Sequence, residues 1–122
     1  MLMLRPTCPV DYRLCNQTVT VYHQEDGKYT HTVHKNAFLD FKKAQTVDKT
    51  GSKEANSFLL VIPGAVQTVF VGDKVLLGEG PEIANREAWA AFIPAKVAGL
   101  VVVSYADPKY WNGAMVHTEA GG

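Results

Sequence analysis

The chain has 122 residues, with Lys and Arg totalling 12 against Asp and Glu totalling 12, four His, two Cys, 47% hydrophobic and 20% charged residues. That length is one domain's worth with room for a core, and the composition excludes wholesale disorder and fibrous chains. A net charge of zero lacks the basic excess with which a monomer grips nucleic acid by neutralising phosphates.

No apolar run approaches the roughly 18–20 residues needed to span a bilayer. Met1 to Leu4 is too short for the apolar region of a signal peptide. The expectation is an intracellular product with no membrane partner, in which Asn16-Gln17-Thr18 is a strand entry and not a glycosylation acceptor.

Residues 1–15, MLMLRPTCPVDYRLC, carry two Pro and no hydrophobic period, and read as an extended arm ahead of a single domain over 16–122. Thr18 to Gln24 and Tyr29 to Lys35 flank Glu25-Asp26-Gly27-Lys28. Asp-Gly at the centre of such a segment is a strong hairpin signal because both positions tolerate positive φ. With Asp26-Gly27 as the turn, the numbers of facing residues sum to 53, pairing Val19 with His34, Tyr22 with His31 and His23 with Thr30.

Ala37 to Lys42 is a third expected strand, and Ser57 to Ile62 a fourth, apolar enough to be buried on both faces. Between them lies the polar segment 45–56, QTVDKTGSKEAN, expected as a long loop that is either mobile or functional. Val69 to Leu77 is a strand interrupted at Gly72-Asp73 and ended by a turn at Gly78-Glu79-Gly80-Pro81. One helix is expected: Asn85 caps it, Glu87 sits in its first turn, and Trp89, Phe92 and Ile93 share a face until Pro94 stops it. Leu100 to Tyr105 is a strand, Asp107-Pro108 and Asn112-Gly113 are turns, and Ala114 to Glu119 closes the chain as a strand. Six to eight strands and one short helix predict a mainly all-β fold, a small antiparallel barrel or sandwich.

The chemistry-bearing residues do not assemble into a reactive set. On the hairpin, His31 faces away from His23 and His34, and those two lie four residues apart along one strand direction, roughly 13 Å. Zinc needs its ligands about 2 Å from one centre, so this hairpin alone is not expected to chelate one. Cys8 and Cys15 stand at neither zinc-knuckle nor thioredoxin-like spacing and are read as structural thiols. Gly78-Glu79-Gly80-Pro81 carries a carboxylate and no following Lys-Ser or Lys-Thr, which suits a turn better than a phosphate cradle. Asp107 and His117 form an acid/base pair only on paper. The expectation is a protein that is not an enzyme, with no cofactor and no resident metal.

Aromatic residues are more informative. Tyr110 and Trp111 fall between two turn signals, and large aromatics on a loop mark an interface or fold back to plug one end of a barrel. A stand-alone barrel module that binds a protein or carbohydrate through them is the alternative to a role in assembly.

The segments CNQTVTVYH, VFVGDKVLLGEGPEI, EAWAAFIPAKVAGLVVV and ADPKYWNGAMVHTEAGG together resemble small proteins of tailed-bacteriophage morphogenesis clusters. These are minor capsid, head-completion or head-to-tail connector proteins. The resemblance runs from about Cys15 onward and rests on strand and turn patterns. It implies a stopper-like all-β subunit of the virion neck, made in the host cytoplasm. Copies would form a ring that joins the portal or adaptor to the tail terminator or tail tube and encloses the exit channel for double-stranded DNA. The same resemblance makes the polar loop, with Asp48, Lys49, Lys53 and Glu54, the element that lines the channel or reaches a neighbour, in transient and non-specific contact with DNA. Subunit contacts then fall to Lys109, Tyr110, Trp111 and Asn112 and to the N-terminal arm.

Overall fold

The computed structural model describes residues 12–46 and 53–122, with side chains outside the description over 42–46 and 53–56. A 3-10 turn at Tyr12–Leu14 leads into seven strands: β1 (Gln17–Glu25), β2 (Lys28–Thr46), β3 (Lys53–Pro63), β4 (Lys74–Leu77), β5 (Leu100–Val102), β6 (Tyr105–Trp111) and β7 (Ala114–Gly121). One helix, α1 (Arg86–Ala91), lies between β4 and β5. The strands form one antiparallel sheet in the order β5-β4-β1-β2-β3-β7-β6. The fold is all-β and barrel-like, as expected.

The hairpin between β1 and β2 has the expected register, Val19 opposite His34, Tyr22 opposite His31 and His23 opposite Thr30. Asp26 (φ 49°) and Gly27 (φ 77°) supply the paired positive φ angles that match the twist of the flanking strands. A bulge between Gln17 and Val19 marks the end of this pairing. Beyond it β2 continues without a break, so the expected separate strand at Ala37–Lys42 is the second half of one 19-residue strand. Lys35-Asn36 contains neither Gly nor Pro, and nothing in the backbone chemistry forces a stop there. The first half of β2 pairs with β1 and the second with β3, which hands the sheet over from one half to the other.

The edge strands β5 and β6 are consecutive in sequence, with only Val103 and Ser104 between them. Val103 exchanges backbone hydrogen bonds with the segment before β4, donating to Asp73 O and accepting from Gly72 N, both at 2.9 Å. Ser104 N donates to Gly121 O at 2.8 Å on β7. The sheet therefore curls around a core built from Val19, Val21, Leu39, Phe58, Leu60, Ile62, Val69, Val75, Val101, Val103 and Ala120.

A second, smaller core lies on the outer face of the sheet, where Tyr22, Leu76 and Leu100 meet Ile83 and Phe92, with Ala88, Trp89 and Val97 packed against them. β1 is consequently buried on both faces over Val19–Tyr22. The expected two-sided burial of Ser57–Ile62 is not observed: Phe58, Leu60 and Ile62 are buried and the residues between them only half-buried. Helix α1 covers β1, β4 and β5 but leaves the outer face of β3 open, and that difference decides which strands have two apolar faces. The helix has its expected cap, with Asn85 Oδ1 accepting from Ala88 N at 2.7 Å.

The segment after β4 is an extended strap across β1 and not the expected turn. Gly78 N donates to Thr18 O at 2.7 Å, Thr20 Oγ1 donates to Gly78 O at 2.7 Å, and Gly80 N donates to Thr20 Oγ1 at 3.1 Å. Tyr22 Oη then donates to Pro81 O at 2.8 Å. A Cβ on Gly80 would collide with the Tyr22 hydroxyl and stand 2.5 Å from Leu76 Cδ2. Gly80→Ala is expected to cost about 1–3 kcal/mol, the range for overpacking a filled site. A lower urea midpoint at unchanged slope is the expected reading; an unchanged midpoint would mean that the strap does not pack as described.

Candidate functional site

Two protrusions carry the residues singled out from the sequence. The first is the far end of the β2–β3 pair. β3 is in register with β7 over Leu59–Pro63, and Phe58 N donates to Gly122 O at 3.1 Å just beyond, yet β3 continues to pair with β2 through Phe41–Phe58, Lys42–Ser57, Lys43–Asn56, Ala44–Ala55, Gln45–Glu54 and Thr46–Lys53. The five pairs beyond Phe41–Phe58 make a two-stranded ribbon of about 17 Å at roughly 3.3–3.4 Å per residue. The polar segment 45–56 is thus not one long loop. Gln45 and Thr46 belong to β2, and Lys53 and Glu54 begin β3, because the Thr- and Lys-bearing flanks pair across the ribbon. Asp48 and Lys49 lie outside the described residues.

The second protrusion is the β6–β7 hairpin. Lys109, Tyr110 and Trp111 end β6 rather than sitting in a loop, and Asn112 (φ 49°) with Gly113 (φ 78°) forms the turn. The turn expected at Asp107-Pro108 is absent, and both residues lie inside β6, opposite Glu119 and Thr118. A proline is tolerated there because β6 is an edge strand, where a missing donor need not break the ladder. A register shift between Lys109 and Tyr110 re-aims the last two side chains. Tyr110 is 65% exposed at the tip, while Trp111 is half-buried opposite Ala114.

Three polar clusters tie elements of the barrel together, and one of them reaches β7. Asp73 is buried and closes the turn before β4, accepting from Phe70 N at 2.9 Å through Oδ2 and facing His23 Nδ1 at 2.5 Å through Oδ1. Its hydrogen bond raises the pKa of His23 above the ordinary value, with Glu25 3.6 Å from Nε2 adding to the effect against the opposing pull of burial. Lys74 is buried under α1, where Nζ donates to Trp89 O at 2.5 Å and Phe92 O at 2.7 Å and lies 4.4 Å from the centre of the Trp89 ring. It caps the helix's terminal carbonyls, and its charge complements that end of the dipole. Burial lowers its pKa.

The third cluster joins Tyr12 to β7: its hydroxyl lies 2.8 Å from His117 Nδ1 and its ring meets the imidazole edge-on. His117 is buried, and desolvation lowers its pKa despite Glu119 at 3.9 Å from Nε2. Its partners are Tyr12 and Glu119, and the cross-strand neighbour of Asp107 is Glu119. No group of three or more potential metal ligands occurs among the described residues. No helix among them is long and apolar enough to cross a membrane. Cys15 is half-buried at the entry to β1; Cys8 lies outside the described residues.

A family model, the family of unknown function DUF6751, matches residues 14–122. The chain belongs to that family. The match takes in all seven strands and the helix, so both protrusions and the Asp73–Lys74 anchor fall within it. No curated protein and no solved structure shows significant similarity to the chain.

Two of the four histidines of this DUF6751 member, His23 and His117, have pKa values shifted in opposite directions. His23, whose folded pKa is raised, contributes stability that is complete below its ordinary value near ~6.5 and is lost as pH rises through the folded value. His117, whose folded pKa is lowered, contributes stability that is present above ~6.5 and lost as pH falls through the folded value. In a proton NMR titration of the imidazole C–H signals, His23 is expected to titrate above His117. Asp73→Asn is expected to move His23 downward and leave His117 in place; coincident titration of the two in the parent protein would refute the assignment.

Proposed function

We propose that the protein is a structural subunit of the neck of a tailed-phage virion. Copies assemble into a ring between the portal or adaptor and the tail terminator or tail tube, around the channel through which double-stranded DNA leaves the head. The observation that carries this reading is the ribbon formed by the far ends of β2 and β3. An isolated two-stranded hairpin is marginal in water, so a ribbon that outruns its own sheet suits an element completed by a neighbour or by the channel. It places Lys53 and Glu54 at the base of the segment that bears Asp48 and Lys49, and such mixed charge suits passing DNA better than a tight grip.

Ring closure of identical subunits needs two different complementary patches on each. Exposed Tyr110, with Lys109, half-buried Trp111 and Asn112 on the β6–β7 hairpin, serves as one of them. The role is mechanical and not catalytic. The protein acts in the virion neck after synthesis in the host cytoplasm, and its resemblance to head-to-tail connector proteins from Cys15 onward supports the same assignment.

Deleting the gene from its phage is expected to yield heads without attached tails in electron micrographs; normal tailed, DNA-filled particles would refute the proposal. Tyr110→Asp is expected to leave the melting temperature within a few degrees of the parent and to weaken self-association in sedimentation velocity at least tenfold. Unchanged association would remove the hairpin from the interface.

A further inference from the structure

A groove of about 800 Å³ opens between the tip of the β1–β2 hairpin and helix α1, within the size range of small-ligand sites. Gln24 and Tyr29 line it from the hairpin, and Asn85, Arg86 and Trp89 from the helix segment. Two of these side chains are held in place by the fold itself. Asn85 Oδ1 accepts from Ala88 N at 2.7 Å, which orients the carboxamide and leaves its Nδ2 free to donate. Trp89 rests on buried Lys74, whose Nζ lies 4.4 Å from the ring centre, and its ring meets that of Tyr29 at 5.7 Å between centroids.

The chemistry of the lining narrows the ligand. Clamping a flat aromatic molecule takes two parallel rings about 7 Å apart, one contact distance on either side. Tyr29 and Trp89 are tilted by 51° and already touch, so they form a floor and not a pair of jaws. The negative faces of such rings attract the polarised C–H groups of a puckered ring. Beside this floor stand the partners that hydroxyl groups need, Asn85 Nδ2 as donor and Gln24 Oε1 as acceptor, with Gln24 Nε2 3.5 Å from Tyr29 Oη. Arg86 is the one charged side chain in the lining. It is exposed, and no described residue gives its guanidinium an ion pair or a hydrogen bond. A planar guanidinium with free donors matches a carboxylate through two parallel hydrogen bonds.

We infer that this groove binds a uronic acid, a sugar ring that carries a carboxylate. The ring lies on Tyr29 and Trp89, its hydroxyls pair with Asn85 and Gln24, and its carboxylate pairs with Arg86. A neutral sugar leaves the guanidinium unused, and a simple carboxylate leaves the aromatic floor bare. The inference stands apart from the neck assignment, since it uses no residue of either protrusion.

The test is an NMR titration of the full-length 15N-labelled protein with the methyl glycosides of glucuronic and galacturonic acid. Concentrations run to about 50 mM at constant ionic strength, a range that resolves millimolar affinity. Saturable shifts of the Trp89 indole N–H and of the backbone amides of Gln24, Tyr29 and Arg86 are expected with at least one of the two. Methyl glucoside and sodium acetate are each expected to bind about fivefold more weakly or less, because each offers only part of the match. Arg86→Gln is expected to bring the uronide down to the level of the glucoside, and Tyr29→Ala to weaken both sugars, with amide signals remote from the groove unmoved in each variant. Absence of saturable shifts at these residues with both uronides, an equal response to acetate or glucoside, or an unchanged titration in either variant overturns the inference.

Discussion

The two residues between β5 and β6 set the shape of the molecule. With only Val103 and Ser104 available, the chain passes from one edge of the sheet to the other, so the sheet has to curl until its edges meet in sequence. Val103 is 2% exposed and contributes to the core, while its backbone exchanges two hydrogen bonds with Gly72 and Asp73. That exchange fixes the turn ahead of β4. From the fixed turn, Asp73 reaches His23 on β1 and Lys74 reaches the end of α1. One short junction thereby positions the curl, the buried carboxylate and the helix anchor.

Lys74 and Leu76 illustrate how a charged residue is held within an apolar layer. They are two apart on β4 and share the face that α1 covers. Removing an ammonium from water is costly unless its donors are satisfied. Here carbonyls at the end of the helix, Trp89 O and Phe92 O, accept those hydrogen bonds, and the Trp89 ring faces the cation. The outer core beneath the helix is therefore bordered by a polar contact, whereas the main core is a cluster of aliphatic side chains and Phe58. Among the described residues no comparable cover lies over the outer face of β3, where Ser57, Leu59 and Val61 are half-buried.

Local chemistry was legible in the sequence wherever it dominated. Asp26-Gly27 dictated the first hairpin and its register, and Asn85, Glu87 and Pro94 bounded the helix. Reading failed where tertiary context outweighed local signals. Asp107-Pro108 has turn composition, but at an edge strand the missing donor is tolerated. The polar composition of 45–56 resembles a loop, yet two-stranded pairing proceeds there without any apolar face to announce it. Asp73 and Lys74 gave a fainter signal: a lysine in phase with Leu76 at the head of a buried strand needs a partner. The Tyr12–His117 contact spans 105 positions, and no spacing argument could have linked its ends. Of the residues expected at the assembly surface, the hairpin group proved contiguous and exposed at its tip, although it is built on a strand.

Pro108 also bears on what the free edge of the sheet can pair with. The free edge of an outermost strand ordinarily offers an unbroken row of donors and acceptors on which a foreign strand can nucleate, and runaway stacking of sheets begins there. Along β6 that row has a gap, since the pyrrolidine nitrogen carries no hydrogen. Indefinite extension of the sheet from this edge is disfavoured at its middle. Any surface that meets this edge is then engaged through side chains rather than through a continuous row of backbone hydrogen bonds.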